Sequence, residues 1–356
     1  MKSYLQRFVS RFQFTLLLLA ILVVWIWLRP APEGPDIYQL DGNTMGTSYR
    51  VLVTGFPAAV SGEELAAGIS DRLHRIDKEL MSTYEPTSEL SRFNQSPAGE
   101  WFDVSPELAE VMQEALQISE LTGGAFDVTV GPLVDRWGFG PQMRPIDMPD
   151  EQTIQRMLSE VGYQHLDVKL TPPQLRKQQD VQVDLSGIAK GYGADYIAEY
   201  FDSLQMDSYF IEIGGELRIK GRKRDGSAWV PGIERPVNGS PEVHQIIYTR
   251  DESLGVAGSG DYRNYFEQDG QRYSHEIDPA TGRPITHNLA ACYVIADNAM
   301  RADALATAFM VMGAESSMAL AEEIGLAAYF IVKSDNESGF DSRYSRQFAR
   351  YLEEES

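Results

Sequence analysis

Residues 263–278 read RNYFEQDGQRYSHEID. Polar and apolar residues alternate on both sides of Asp269-Gly270, and an Asp-Gly link between alternating segments is a hairpin signal, because both positions tolerate the positive φ of a tight primed turn. This reading decides the fold class. A hairpin joins antiparallel neighbours, whereas the parallel strands of a doubly wound sheet need a long crossover between them. On either side, YFIEIGGELRIKG (209–221), HQIIYTRD (244–251) and GLAAYFIVK (325–333) also read as strands, as does GTSYRVLVT (46–54) further upstream. Helices are interspersed among them. Residues 62–81 place Leu65, Ile69, Leu73, Ile76 and Leu80 on one face. A second helix, 106–122, opens on Ser105-Pro106 and closes on Gly123-Gly124; 150–161, 188–204 and 299–313 follow, with a further helix before 325. The expectation is a mixed α+β fold with antiparallel hairpins, in a single domain spanning 41–350.

The N-terminus reads differently. Lys2, Arg7 and Arg11 precede Phe12 to Leu28, an almost wholly apolar run that as a helix would span roughly 25 Å, near the lower limit for crossing a bilayer. A basic flank before an apolar run marks a signal peptide or a signal anchor. No small-x-small cleavage site follows and no cysteine is there to carry a lipid, which favours the anchor. We read 1–29 as this segment and 30–40, with Pro30 to Pro35, as a stiff tether to an exported body. The 356 residues carry 31 basic and 52 acidic side chains, a net charge of −21, which argues against a nucleic-acid partner. A single cysteine, Cys292, excludes an internal disulfide and a Cys-rich metal site.

Five stretches carry chemistry-bearing residues. In DLSGIAKGYGADYI (184–197), VQVDL (181–185) reads as a strand end, which puts Asp184 at its tip and Gly187 at the turn into a helix. A helix N-terminus offers free N–H groups that suit a phosphate. Gly191 and Gly193 would let a ligand or another backbone approach, and Lys190 stands between them and Gly187; the glycine order matches neither a Walker A loop nor a dinucleotide fingerprint. Asp303 and Thr307 are four apart on one helical face, a hard oxygen pair suited to Mg²⁺ or, equally, a buried structural hydrogen bond. His275 precedes the Pro-x-x-Gly turn of YSHEIDPATGRPI (273–285), as a general base or a structural histidine. Asp127 lies in GGAFDVTVGPLVDRWG (123–138), and Tyr84 in the polar loop MSTYEPTSELSRFN (81–94), where an aromatic could stack on a flat ring.

As a set, the motifs MGTxY, SxY…SELxxFN, GAFDxTVGPL, VDLxGIAKGY, IEIGGE, HxIDPxTGxP and ADALATA resemble the FAD:protein FMN transferase family, the ApbE-type flavin transferases, from about residue 41 to 340. The resemblance implies Mg²⁺-dependent transfer of FMN from FAD to a Ser or Thr hydroxyl of a target flavoprotein subunit, with AMP released. Position by position it implies that Met45 packs near the flavin and Tyr84 covers its ring. Ala125, Phe126 and Asp127 line the FAD pocket, Asp184 and Lys190 contact the nucleotide, and Ile277 lies by the adenine-side wall. It further implies that Asp303, Thr307 and a carbonyl near Gly187 bind the metal, and that His275 is catalytic. In that frame Mg²⁺ acts as Lewis acid, and Lys190 with the helix N-terminus adds positive potential at the phosphates. Two alternatives stay open: a Mg²⁺-dependent FAD pyrophosphatase and a periplasmic flavin-binding protein. The expected location is the bacterial inner membrane, held by the N-terminal segment, with the catalytic domain on the periplasmic side.

Overall fold

In the computed structural model, which describes residues 37–55, 57, 60–140, 148–237, 242–262, 265–268, 271–336 and 339–353, most of the extended segments pair into one eight-stranded antiparallel sheet. Its strands are β1 (Tyr38–Thr44), β2 (Thr47–Val53), β3 (Tyr209–Ile213), β4 (Glu216–Lys220), β5 (Leu254–Gly260), β6 (Leu289–Ala296), β7 (Ala327–Lys333) and β8 (Phe340–Tyr344). Each lies antiparallel to the next in chain order, so the sheet needs no parallel crossover. The fold is mixed α+β with antiparallel pairing, as the hairpin pattern predicts. Within 263–278, Tyr265–Gln268 pairs antiparallel with Gln271–Ser274, Phe266 opposite Tyr273, as a two-stranded ribbon separate from the main sheet; Asp269 and Gly270 lie outside the described residues. The apolar segment 12–28 and the tether prolines lie outside the described residues. Among the described residues no helix is long and apolar enough to cross a membrane.

Period-two alternation gives the sheet two apolar faces. On β3, Tyr209, Ile211 and Ile213 point one way and Phe210 the other. The first face is covered by α1 (Gly62–His74), which places Leu65, Ile69 and Leu73 there, and by the later helices described below. After α2 (Glu89–Gln95), α3 (Pro106–Leu121) sets Leu108, Val111 and Met112 into the same layer; α4 (Gly131–Arg136) and α5 (Glu151–Leu158) form a side cluster around Leu133, Trp137 and Ile154. The second face is closed by Trp229, Ile233, Ile247, Phe348 and Tyr351.

Three local readings change. The helix over 62–81 is α-helical only to His74; Arg75–Leu80 widen into a π turn, with Met81 N–H donating to Ile76 O at 3.0 Å. That turn presents Asp77, whose Oδ2 accepts the N–H of Met45 at 3.1 Å. Residues 181–185 are extended but join no strand. Asn94 substitutes for a ladder, its side chain accepting from Val183 N and donating to Val183 O, both at 2.8 Å. Of HQIIYTRD (244–251), only residues 244–246 belong to a strand, Val243–Ile246.

The helices that matter for function are α6 (Ala189–Ser203) and α7 (Ala299–Met312), followed by α8 (Ala314–Glu323). A Cβ on Gly191 would come within 2.3 Å of Ala299 O, and one on Gly255 of β5 within 2.0 Å of Asn298 C. The start of α7 is therefore clasped between two backbones, and only glycine fits at either contact. Gly193 packs on Met45 Cε and Ile213 Cδ1. Both helix glycines thus serve packing within the protein, Gly191 against the backbone at the start of α7 and Gly193 against side chains. Asp195 completes the clasp, its two carboxylate oxygens accepting the N–H groups of Ala299 (2.9 Å) and Met300 (2.8 Å). Burial pushes the Asp195 carboxyl up to about 6 against the pull of those N–H groups and Arg218. The folded value exceeds the ordinary one of 3.8, so the native state holds this proton more tightly and the group's contribution to stability falls as pH rises from about 4 to 6. Relative to Asp195→Asn, the wild-type unfolding free energy is expected to decline across that interval in urea titrations; a constant difference would contradict the assignment.

Candidate active site

A cavity of about 860 Å³ opens between α6, α7 and the β3–β4 turn, and Lys190, Glu216, His275, Glu276, Asp303 and Thr307 all line it. Lys190, on the first turn of α6, places Nζ 3.0 Å from Glu216 Oε1 and 3.7 Å from Asp303 Oδ1. Asp303 Oδ2 accepts the N–H of Gly191 at 3.0 Å. Burial would favour the neutral amine of Lys190, but the two facing carboxylates outweigh it and hold the ammonium charged. The same burial raises both carboxyls, Glu216 to about 7, with Lys190 pulling each back. Two buried carboxylates thus share one ammonium, and Glu216 Oε2 is buried without a hydrogen-bond partner among the described residues.

Thr307 lies one turn along α7 from Asp303. A Cβ on Gly187 would stand 3.3 Å from Thr307 Oγ1 and 3.2 Å from Phe126 Cε2, so the main chain at 187 is pressed against the threonine hydroxyl. A carboxylate, a hydroxyl and a main-chain segment converge: hard oxygen donors beside an excess of buried negative charge, which is the chemistry a magnesium-like cation meets. Among the described residues no group of three or more His, Cys, Asp or Glu is set to hold a metal. The candidate set depends instead on its hydroxyl and carbonyl members.

Ala125, Phe126, Asp127, Asp184, Gly187 and Ile277 also line the cavity. The Asp127 carboxylate is committed to structural partners, accepting from Thr129 N (2.8 Å) and Thr129 Oγ1 (2.6 Å) in its own loop and from Tyr163 N (2.9 Å) 36 residues on. Burial raises its pKa while these bonds oppose the rise. Asp184 N–H donates to Val128 O at 2.7 Å and its Oδ1 accepts from Ser186 N at 2.8 Å, which ties the 126–131 loop to the start of α6. Ile277 is buried with Leu133 and Trp137. His275 Nε2 lies 3.3 Å from Glu276 Oε1. Two residues stand apart. Tyr84, 69% exposed, lies off the cavity lining; partial desolvation and the negative charges of Asp184 and Asp135 push its phenol up. Met45 adopts φ 47° and turns toward Gly193 beneath α6 rather than onto the cavity wall.

Glu216 and Glu276 were not singled out by sequence reasoning. The available signals were the two positive-φ glycines, Gly214 and Gly215, that aim Glu216 back at Lys190, and a carboxylate placed directly beside the one histidine of its motif.

This arrangement is that of a nucleotide-handling enzyme: an ammonium at a helix start, hard oxygen donors and a histidine around one cavity. Residues 45–330 match the model of the ApbE family. The chain belongs to the ApbE family. It is 44% identical over 335 residues to the FAD:protein FMN transferase of Vibrio cholerae, covering 94% of this chain and 98% of that protein. It is 41% identical to the protein of the same name from Haemophilus influenzae, with 92% and 94% covered. Among solved structures, the flavin transferase ApbE from Vibrio cholerae superposes with a TM-score of 0.80 at 42% identity, covering 89% of this chain and 99% of that one. The apo flavinyl transferase ApbE of Pseudomonas stutzeri gives 0.79 at 39% identity, with 89% and 96% covered.

Proposed function

We propose that this chain is a Mg²⁺-dependent FAD:protein FMN transferase that moves FMN from FAD to a Ser or Thr hydroxyl of a target flavoprotein and releases AMP. The observation that carries the reading is the buried Lys190–Glu216–Asp303 cluster on the cavity wall, with Thr307 and His275 on the same cavity. The names of the relatives above support the same reading.

Asp303, Thr307 and the main chain at Gly187 would hold Mg²⁺, which supplies Lewis-acid neutralisation of the pyrophosphate when bound. Lys190 and the N–H groups at the start of α6 attract and orient the phosphates. Asp184 and the Ala125–Asp127 segment border the nucleotide, Ile277 closes the adenine side, and Tyr84 and Met45 flank the flavin from outside the cavity lining. His275 accepts the proton of the acceptor hydroxyl, a step general bases accelerate by about 10²–10⁴-fold. The N-terminal apolar segment would anchor the chain in the inner membrane with this site on the periplasmic side.

The test is to incubate the full-length protein in detergent with FAD, Mg²⁺ and flavoproteins bearing candidate Ser or Thr acceptors, and to read intact masses. An FMN-sized gain on an acceptor supports the transferase. Free FMN and AMP with every acceptor would instead make the protein a pyrophosphatase, and FAD binding without turnover a flavin carrier. Gly187→Ala bears on the metal. Its methyl must displace Thr307 or Phe126 by a few tenths of an ångström, and the Mg²⁺ concentration giving half-maximal turnover is expected to rise by about tenfold.

A further inference from the structure

His275 and Glu276 stand side by side on the cavity wall, between the strands Gln271–Ser274 and Ile277–Asp278. The two ring nitrogens of His275 meet different surroundings. Nδ1 is sealed from solvent and has no hydrogen-bond partner among the described residues. A ring nitrogen without contact to the cavity cannot take a proton from a hydroxyl arriving through it. The ring rests edge-on against Phe139, centroids 6.3 Å apart, and Phe139 in turn packs on Phe266 at 5.3 Å. Nε2, by contrast, lies 3.3 Å from Glu276 Oε1, an ion-pair contact in a side chain that is 30% exposed. Position 276 is an open one in the motif HxIDPxTGxP, and none of the roles assigned above uses this carboxylate.

We infer that Nε2 is the nitrogen that receives the acceptor proton, and that Glu276 is the carboxylate that stabilises the imidazolium as it forms. The inference rests on the transferase reading. In the balanced step the acceptor oxygen bonds to the FMN-side phosphorus, and the bridging P–O bond breaks with its electron pair leaving on AMP. The hydroxyl proton passes to Nε2. Positive charge then appears 3.3 Å from Glu276, where a buried carboxylate interacts far more strongly than one in water.

The charged groups facing Glu276 fit this role. Burial raises its carboxyl; His275 and Lys190, the latter from α6, lower it, while Asp261 after β5 and Asp303 of α7 raise it. Phe139 packs edge-on against the ring.

The test compares wild type, Glu276→Gln and Glu276→Asp as full-length proteins with FAD, Mg²⁺ and an acceptor flavoprotein, with melting temperature and FAD affinity measured alongside. For Glu276→Gln, kcat is expected to fall about tenfold and the acid limb of the kcat–pH profile to move to lower pH, because a base without its carboxylate neighbour is weaker. KM for FAD should stay near wild type. Glu276→Asp, with its charge withdrawn from Nε2, should give an intermediate profile, and it decides the matter where the amide variant does not fold. A profile of unchanged shape overturns the inference, whatever the absolute rate. If the wild type itself yields no FMN–acceptor adduct, the transferase reading fails. The same profiles are then read on AMP release to water, with the same two outcomes for Glu276.

Discussion

Asp303→Ala is expected to lower FAD turnover by about 10³-fold or more and to abolish its response to Mg²⁺. Asp303 sits where three requirements meet: it offers a hard oxygen beside Thr307, faces the Lys190 ammonium at 3.7 Å, and receives the Gly191 N–H at 3.0 Å. Alanine removes all three, but their consequences separate. The lost acceptor leaves a buried N–H unsatisfied, costing about 1–3 kcal/mol. Lys190 keeps Glu216 at 3.0 Å, so a one-to-one buried pair remains and the fold should survive. Asp303→Asn keeps an acceptor for Gly191 while removing the charge, and should restore stability without restoring turnover. Thermal melts and a Mg²⁺ titration of AMP release read the two effects independently. Wild-type turnover with unaltered Mg²⁺ dependence in Asp303→Ala would remove this residue from the metal site.

Gly191→Ala poses the sharper question of sign. Helix propensity alone says the change should stabilise by about 1 kcal/mol. The structure says the opposite, because the new methyl would sit 2.3 Å from Ala299 O and 2.8 Å from Met300 Cα, both backbone atoms at the start of α7. Separating two packed helices overpacks the interface and is expected to cost about 3 kcal/mol or more. It would also drag Asp303, bonded to the Gly191 N–H, off its position. Gly193→Ala is the matched control. Its methyl meets only the tips of Met45 and Ile213, at 3.0 and 3.1 Å, and these side chains can yield. Urea unfolding of the two variants should place them several kcal/mol apart; equal stabilities would show that α6 and α7 do not meet as described.

Much of this was legible in the sequence because it rests on period and punctuation. Alternation over 209–221 and the Asp269-Gly270 link announced antiparallel pairing, and Ser105-Pro106 with Gly123-Gly124 bounded α3 closely. Asp303 and Thr307 were legible because helical spacing puts them on one face. What stayed hidden depends on tertiary partners. Residues 181–185 look like a strand, yet Val183 at their centre finds its backbone partners in one asparagine side chain from 94, a contact across 89 positions that no local pattern reveals. The π turn at 75–80 keeps apolar residues in helical spacing while rotating Asp77 toward Met45. Gly191 and Gly193 are ambiguous by composition, since the same glycine admits a cofactor or a neighbouring helix, and only the position of Ala299 settles which. Glu216 and Glu276 read as ordinary solvated charges until the sheet and helices bury them beside Lys190 and His275.

The clasp on α7 also sets when the enzyme comes into being during synthesis. Gly191 and Asp303 are bonded across 112 positions, so the segment carrying Lys190 leaves the ribosome long before the residues that neutralise and orient it. A nascent chain holding α6, β3 and β4 has an ammonium and one carboxylate but neither Asp303 nor Thr307. Until α7 docks, there is no completed cavity in which FAD could be split. Activity therefore arrives in one late event rather than in increments, and a truncation ahead of residue 299 should leave a protein that is not slow but silent.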